Sequence, residues 1–280
     1  MNSESLVLRI AGRPVGRYIT RPELPPKLSP RPYFHPVTTL AGTAVTELSP
    51  ADHLHHLGVG VAVPDVEGHN FWGGRTYVRD QGPTELDNHG AQRHSSFQLS
   101  DPDGFVEELR WVAAGSELLR ERRTVAATEL TDTAWALDFT FSLTNTTDGL
   151  LSIGSPATNG RPGAAYGGFF WRARKEAETP AVFTAGTEGE DAVHGARADW
   201  LALAGATWTL VFAGATEQTR RDPWFVRTAE YPGVGSSLAH EERLPVPAGE
   251  TVVRRVITVV ADGRLDRGEA AALVRKAVSP

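Results

Sequence analysis

There is no cysteine anywhere in the 280 residues. That removes disulfides, thiolate metal sites and a cysteine nucleophile, and it leaves the redox compartment open. There is also no apolar run of the roughly 20 residues that a bilayer-crossing helix requires, so no membrane partner is expected. A strong excess of one charge is missing too. The net charge of −6 comes from 28 basic and 34 acidic residues of mixed order, with no basic stripe, which argues against nucleic acid and anionic membrane surfaces as partners. No phosphate-binding G-x-x-x-x-G-K-[ST] loop occurs, GVGVAV lacks the spacing and helix start of a dinucleotide site, and no G-x-S-x-G elbow is present. The start, MNSESLVLRIAGRPVG, has neither the basic opening nor the apolar core of a secretory leader, so a cytoplasmic location is expected.

What remains is a chain that is 40 % hydrophobic, enough for a sizeable core. Histidine is unevenly distributed. Six of the nine fall between His53 and His94, and three lie within four residues at the head of DHLHHLGVGVAVPDVEGHNFWGG, Asp52 to Gly74. Read as extended chain, this stretch places Leu57, Val59, Val61 and Val63 on one face and His56, Gly58, Gly60 and Ala62 on the other. The bare glycine face is then expected to floor a cavity with His56 at its rim. His53 and His55 would share a face, a possible chelating pair for a divalent metal.

Six prolines between Pro22 and Pro36 exclude a helix or central strand there and predict a surface wrap that delivers His35 to a pocket. The polar segment after the glycine-rich strand carries Arg75, His89 and His94 between turn signals. Strands are then expected over 105–113, 117–130 and 134–144. The last alternates Trp135, Leu137, Phe139, Phe141 and Leu143 against polar residues. A polar row of Glu108, Arg110 and Arg120 or Arg122 would suit a sugar cleft. TNGRPGAAYGGFFWRARK adds Tyr166, Trp171 and Arg172, and DPWFVRTAEYPGVG adds Trp224 and Tyr231; aromatic faces beside a forked donor suit the C–H faces and hydroxyls of a pyranose. Further strands are placed near 200–203, 208–213 and 252–260. Asp266 is an N-cap for a helix with Ala270, Leu273, Val274 and Ala277 on one face.

No repeat, low-complexity tract or linker divides the chain. The expected fold is all-β: one domain over 1–280, a large antiparallel β-sandwich (a supersandwich of the galactose-mutarotase-like kind) with a C-terminal helix outside.

The runs RPYFHPVTTLAGTAVT at 31–46, DHLHHLGVGVAV, FWGG, YGGFFWRAR, DPWFVR and YPGVG resemble a family of uncharacterised bacterial proteins labelled methane oxygenase PmoA-like. The resemblance spans nearly the whole chain. It is carried over as a family identity and not as an activity, because particulate methane oxygenases are membrane proteins and this chain has no spanning run.

The function expected from the residues is a carbohydrate-active enzyme, an isomerase or a lyase or hydrolase, acting on a small-molecule sugar or oxidised (keto) sugar. His53, His56, His89 and His94 are its candidate acid/base groups. His35, Arg75, Tyr166, Trp171, Arg172 and Trp224 are candidate substrate contacts. The alternatives are a metal-dependent enzyme with His53 and His55 among the ligands of a divalent ion, and a non-catalytic sugar-binding module.

Overall fold

Alternation with a period of two marks the long strands of the larger sheet. In the strand Ala134–Asn145, Trp135, Leu137, Phe139, Phe141 and Leu143 are buried while Asp138, Thr140, Ser142 and Thr144 are only half-buried. The computed structural model describes residues 5–279; Met1 to Glu4 and Pro280, included in the expected 1–280 span, lie outside the described residues.

An eight-stranded antiparallel sheet runs in the order Ala181–Thr184, Trp200–Ala204, Trp208–Gly214, Thr251–Asp262, Ala134–Asn145, Ser116–Thr131, Gly104–Ala113, Ala91–Asp101. A seven-stranded sheet faces it in the order Ser5–Ile10, Arg13–Ile19, Tyr33–Val37, Val59–Ala62, Gly168–Arg172, Gly233–Ser236, Trp224–Arg227. Between them lies one extended apolar core that includes Phe34, Phe105, Trp111, Phe139, Phe169, Trp171 and Phe212. This is the large antiparallel sandwich expected, and the helix Arg267–Val278 closes its outside. Asp266 opens that helix with a reciprocal capping box to Glu269, and Ala270 and Val274 bury against Ala136, Ala202, Val211 and Val259 on the outer face of the larger sheet.

The proline-rich stretch departs from expectation. Its last part, Tyr33–Val37, is an interior strand paired to Arg13–Ile19 and touching Val59–Ala62 through Phe34. Pro36 is tolerated because the pairing shifts register between Gly16 and Tyr18, which relieves the ladder of the N–H that proline lacks. The polar row lies apart from the histidine cluster, where Glu108, Arg110 and Arg120 line a groove of their own of about 430 Å³. Arg110 and Arg120 are register partners on the solvent side of the larger sheet, where Arg120 binds Glu117 at 2.9 Å.

A buried charged network crosses the sandwich. Arg123 Nε and Nη2 hold Glu121 at 2.7 and 3.0 Å, Nη1 donates to the Tyr18 hydroxyl at 2.7 Å, and Trp111 Nε1 donates to Glu121 at 2.9 Å. Tyr18 donates to Glu107, whose other oxygen meets His94 Nδ1 at 2.7 Å. Gln92 completes the link by donating to the Val61 carbonyl on the opposite sheet at 2.8 Å.

Candidate functional site

The histidine segment is not extended. His53 N–H donates to the Pro50 carbonyl and His56 N–H to the His53 carbonyl, both at 2.9 Å, so two four-residue turns sharing His53 precede the strand Val59–Ala62. Residues three apart then lie on one side. The rings of His53 and His56 consequently stack at 4.6 Å, with His55 edge-on to His56 at 4.8 Å.

The glycine face has a different purpose from the one expected. A Cβ on Gly58, at φ +61°, would fall 2.1 Å from the Phe34 carbonyl, and one on Gly60 would fall 3.1 Å from that of Pro32. These glycines admit a neighbouring backbone and floor no cavity. Room for the site is made instead at FWGG. A Cβ on Gly73, at φ +100°, would strike the Leu28 carbonyl at 2.7 Å and the His55 Cβ at 2.8 Å, and one on Gly74 would strike the His55 ring at 2.9 Å. Asn70 Oδ1 shapes this turn by accepting from the N–H groups of Trp72 and Gly73, each at 2.8 Å. Beneath it the buried Arg31 donates to the carbonyls of Leu28, Ser29 and Trp72 at 3.2, 3.0 and 2.9 Å and to that of His55 at 2.6 Å.

The result is a cavity of about 660 Å³ at the end of the smaller sheet. One wall is imidazole: His53, His55 and His56, with Tyr231 4.9 Å from the His53 ring and 5.1 Å from that of His56. Aromatic rings continue from it: Trp72 stands edge-on to His56 at 5.9 Å, Trp72 and Tyr166 are 4.6 Å apart, and Tyr166 and Phe225 5.5 Å. Lys27, Arg75, Arg161, Arg227, Asp52, Glu85 and Glu230 also line it.

Of the residues singled out from sequence, His53, His55, His56, Arg75 and Tyr166 line this cavity. Arg172 lies under it, bound to Glu47 at 2.8 Å, 3.4 Å from His56 Nδ1, with its guanidinium 4.4 Å above the Tyr231 ring. His89 stands behind the wall, its Nε2 2.7 Å from the Gly74 carbonyl. Four others are elsewhere. His94 is turned inward on the strand Ala91–Asp101 and belongs to the network between the sheets. Trp171 faces the core and donates to the Val45 carbonyl at 3.0 Å, because alternation sends it opposite to Arg172. Trp224 is a core residue donating to the Ala198 carbonyl at 2.8 Å, and His35 meets Thr46 Oγ1 at 3.0 Å. His53 and His55, the expected pair of metal ligands, both line the cavity. Their ring centres are 5.9 Å apart, and among the described residues no three His, Asp or Glu side chains are grouped to hold an ion.

Reasoning from sequence passes over Asp52, Arg161, Phe225 and Arg227 as site residues. Each stands inside or beside a motif already singled out, but which face a loop residue presents depends on turns that apolar periodicity does not encode.

Electrostatics separate the three rings. Burial, reinforced by the charges of Arg31 and the neighbouring histidines, drives His55 down to about 3, and burial with the adjacent His55, His53 and Arg172 takes His56 well below the ordinary imidazole range. Both are neutral at physiological pH. His53 differs in having a carboxylate beside it, Asp52 Oδ2 at 3.1 Å from Nδ1. Burial pushes the Asp52 carboxyl up, but hydrogen bonding to His53 and to its own backbone, with the charges of His53 and Arg172, outweighs it and holds the group below its ordinary value.

The two buried rings carry a sign for stability. An unfolded histidine takes up its proton near pH 6.5, whereas these rings refuse it in the folded state down to about pH 3 for His55, so the unfolded chain binds more protons in that window. Stability is therefore expected to fall as pH drops from about 6.5 towards 3 and to be insensitive to these rings above that range. Thermal midpoints of wild type and His55→Asn at each pH check it. The wild type should fall more steeply, and parallel curves would mean that His55 is not buried neutral.

None of the curated proteins matches this chain. Among solved structures it is similar to a heparan sulfate lyase mutant from Pedobacter heparinus, with a TM-score of 0.42, 11 % identity and coverage of 95 % of this chain and 36 % of that one. It is similar also to the galactosidase domain of an alpha-galactosidase–sucrose kinase, at a TM-score of 0.36 and 9 % identity, covering 80 % of this chain and 32 % of that one. A heparinase III gives 0.35, 12 %, 95 % and 35 %. The chain thus spans about a third of the length of the structures it matches. Nothing supports the expected methane oxygenase PmoA-like family, because the family model that matches, over residues 5–275, is a different one. The chain belongs to DUF6807, a family of unknown function.

Proposed function

We propose that this protein is a carbohydrate-active enzyme that moves a proton on a sugar or oxidised (keto) sugar, with His53 as the acid/base group. The observation that carries the reading is the meeting of two surfaces in one cavity of about 660 Å³, where three converging imidazoles adjoin the Trp72, Tyr166 and Phe225 rings, a size suited to a small molecule. A pyranose would lay its apolar face on the aromatic rings and turn hydroxyls to the imidazoles.

The rings then divide the labour. Neutral His55 and His56 offer hydrogen bonds to hydroxyls without exchanging charge. His53, with Nδ1 against Asp52, has Nε2 left to exchange a proton with substrate. The buried Tyr231 hydroxyl is pushed well above its ordinary pKa and stays a donor. Arg172 positions the wall by its bond to Glu47 and its contacts with His56 and Tyr231.

Saturation-transfer NMR with the methyl glycosides of glucose, galactose, glucuronate and galacturonate tests the site. At least one should bind, and Tyr166→Ala should weaken it about tenfold, the loss of one aromatic platform. If no sugar binds, or if Tyr166→Ala binds undiminished, the carbohydrate reading is wrong. Should a sugar bind and never be converted, the protein is a binding module.

A further inference from the structure

Charge is not spread evenly around the cavity. At the Tyr166 end, Arg161 and Arg227 stand on the same lining, and their charges oppose the upward push of burial on the Tyr166 hydroxyl. Arg227 is fixed in place. Its Nη1 donates to the Val226 carbonyl at 2.8 Å, its Nη2 to the Gly163 carbonyl at 2.9 Å, and its guanidinium lies 4.7 Å over the Phe225 ring. The bond to Gly163 ties it to the short loop that carries Arg161.

These cations are incompletely neutralised. The carboxylate nearest Arg227 is Glu190 at 3.9 Å, and its other oxygen is already occupied by Thr228 and Ala229. Among the described residues neither Arg161 nor Lys27, on the same lining, has a carboxylate in ion-pair reach. Arg75 is different, since Glu85 engages it at 3.0 Å. Of the other lining acids, Asp52 stands against His53 and Glu230 adjoins Tyr231.

We propose that the ligand is an acidic sugar whose carboxylate is received by Arg161 and Arg227 beside Tyr166, with the ring against the adjoining aromatic and imidazole groups. This rests on the carbohydrate reading and narrows it. A planar carboxylate fits the fork of a guanidinium, and fixing it at one end orients the ring with respect to His53 at the other.

Isothermal titration with matched pairs decides the matter: methyl glucuronide against methyl glucoside, methyl galacturonide against methyl galactoside, with glucose 6-sulfate as a non-carboxylate anion. In at least one pair the uronide should bind tenfold or more tighter than its neutral partner, the effect of about one charge-assisted hydrogen bond. Raising the salt should shrink that gap. Arg161 is exposed, so Arg161→Gln should fold normally and bring the pair to within about threefold, while Arg161→Lys keeps part of the preference. Equal binding of neutral and acidic partners, or a preference untouched by both Arg161→Gln and Arg227→Gln, overturns the acidic-sugar inference and leaves the carbohydrate reading standing. Tighter binding of the sulfate than of any uronide overturns the choice of carboxylate. Binding of none of the five overturns both.

Discussion

Replacing Arg123 by Met is expected to destabilise the protein by about 3–5 kcal/mol, the range found when one partner of a buried ion pair is removed. Arg123 and its partners Glu107 and Glu121 are fully buried, and its charged form is upheld by those carboxylates against the cost of burial. Methionine fills similar space, so the effect isolates charge and hydrogen bonding from volume. Glu121 keeps only the Trp111 N–H, and Tyr18 loses the guanidinium at 2.7 Å while still serving Glu107. Urea unfolding checks the figure. A second substitution, Glu121→Leu, should recover a large part of the loss, because an absent pair costs less than a broken one. A single variant within about 1 kcal/mol of wild type would show that the network contributes nothing net.

His53→Gln should lower turnover of whichever methyl glycoside the cavity binds by about 10²–10⁴-fold, the usual contribution of a positioned acid/base group. Glutamine keeps a polar side chain but cannot exchange a proton near neutral pH. Affinity should change only a few-fold, which places the loss in kcat and leaves KM nearly level. Conversion followed by proton NMR provides the measurement. His94→Gln, which alters a group in the inter-sheet network, should leave the kcat to KM pattern of wild type in protein that remains folded. Equal losses in the two variants would strip His53 of its special role.

Much of this architecture is legible in the chain because long strands with one buried face write it in alternation. Ala134–Asn145 and Gly104–Ala113 can be located almost to the residue. Patterns of that kind fail where a strand has no dry and wet side. Val59–Ala62 is buried on both, so its alternation says nothing of which face meets a ligand. Tyr33–Val37 is hidden for another reason: proline chemistry argues against a sheet, and only a register shift with its neighbour admits it. For the site, the clustering of His53, His55 and His56 is a sequence fact, whereas the stacking of the first on the third is a property of turns. Trp171 and Arg172 illustrate the remaining difficulty. Adjacent in a motif, they face opposite sides of one strand, and which of them meets the histidines depends on the partner sheet.

Arg31 ties the 26–29 segment, the Trp72 turn and the His55 turn together through carbonyls alone. None of the three can be released without abandoning acceptors of the same guanidinium, which burial already holds near a pKa of about 9. Opening of this wall is consequently cooperative: the amides of Ser29, Gly74 and His56 should share one local unfolding free energy in hydrogen exchange, and a ligand that orders any one loop protects all three.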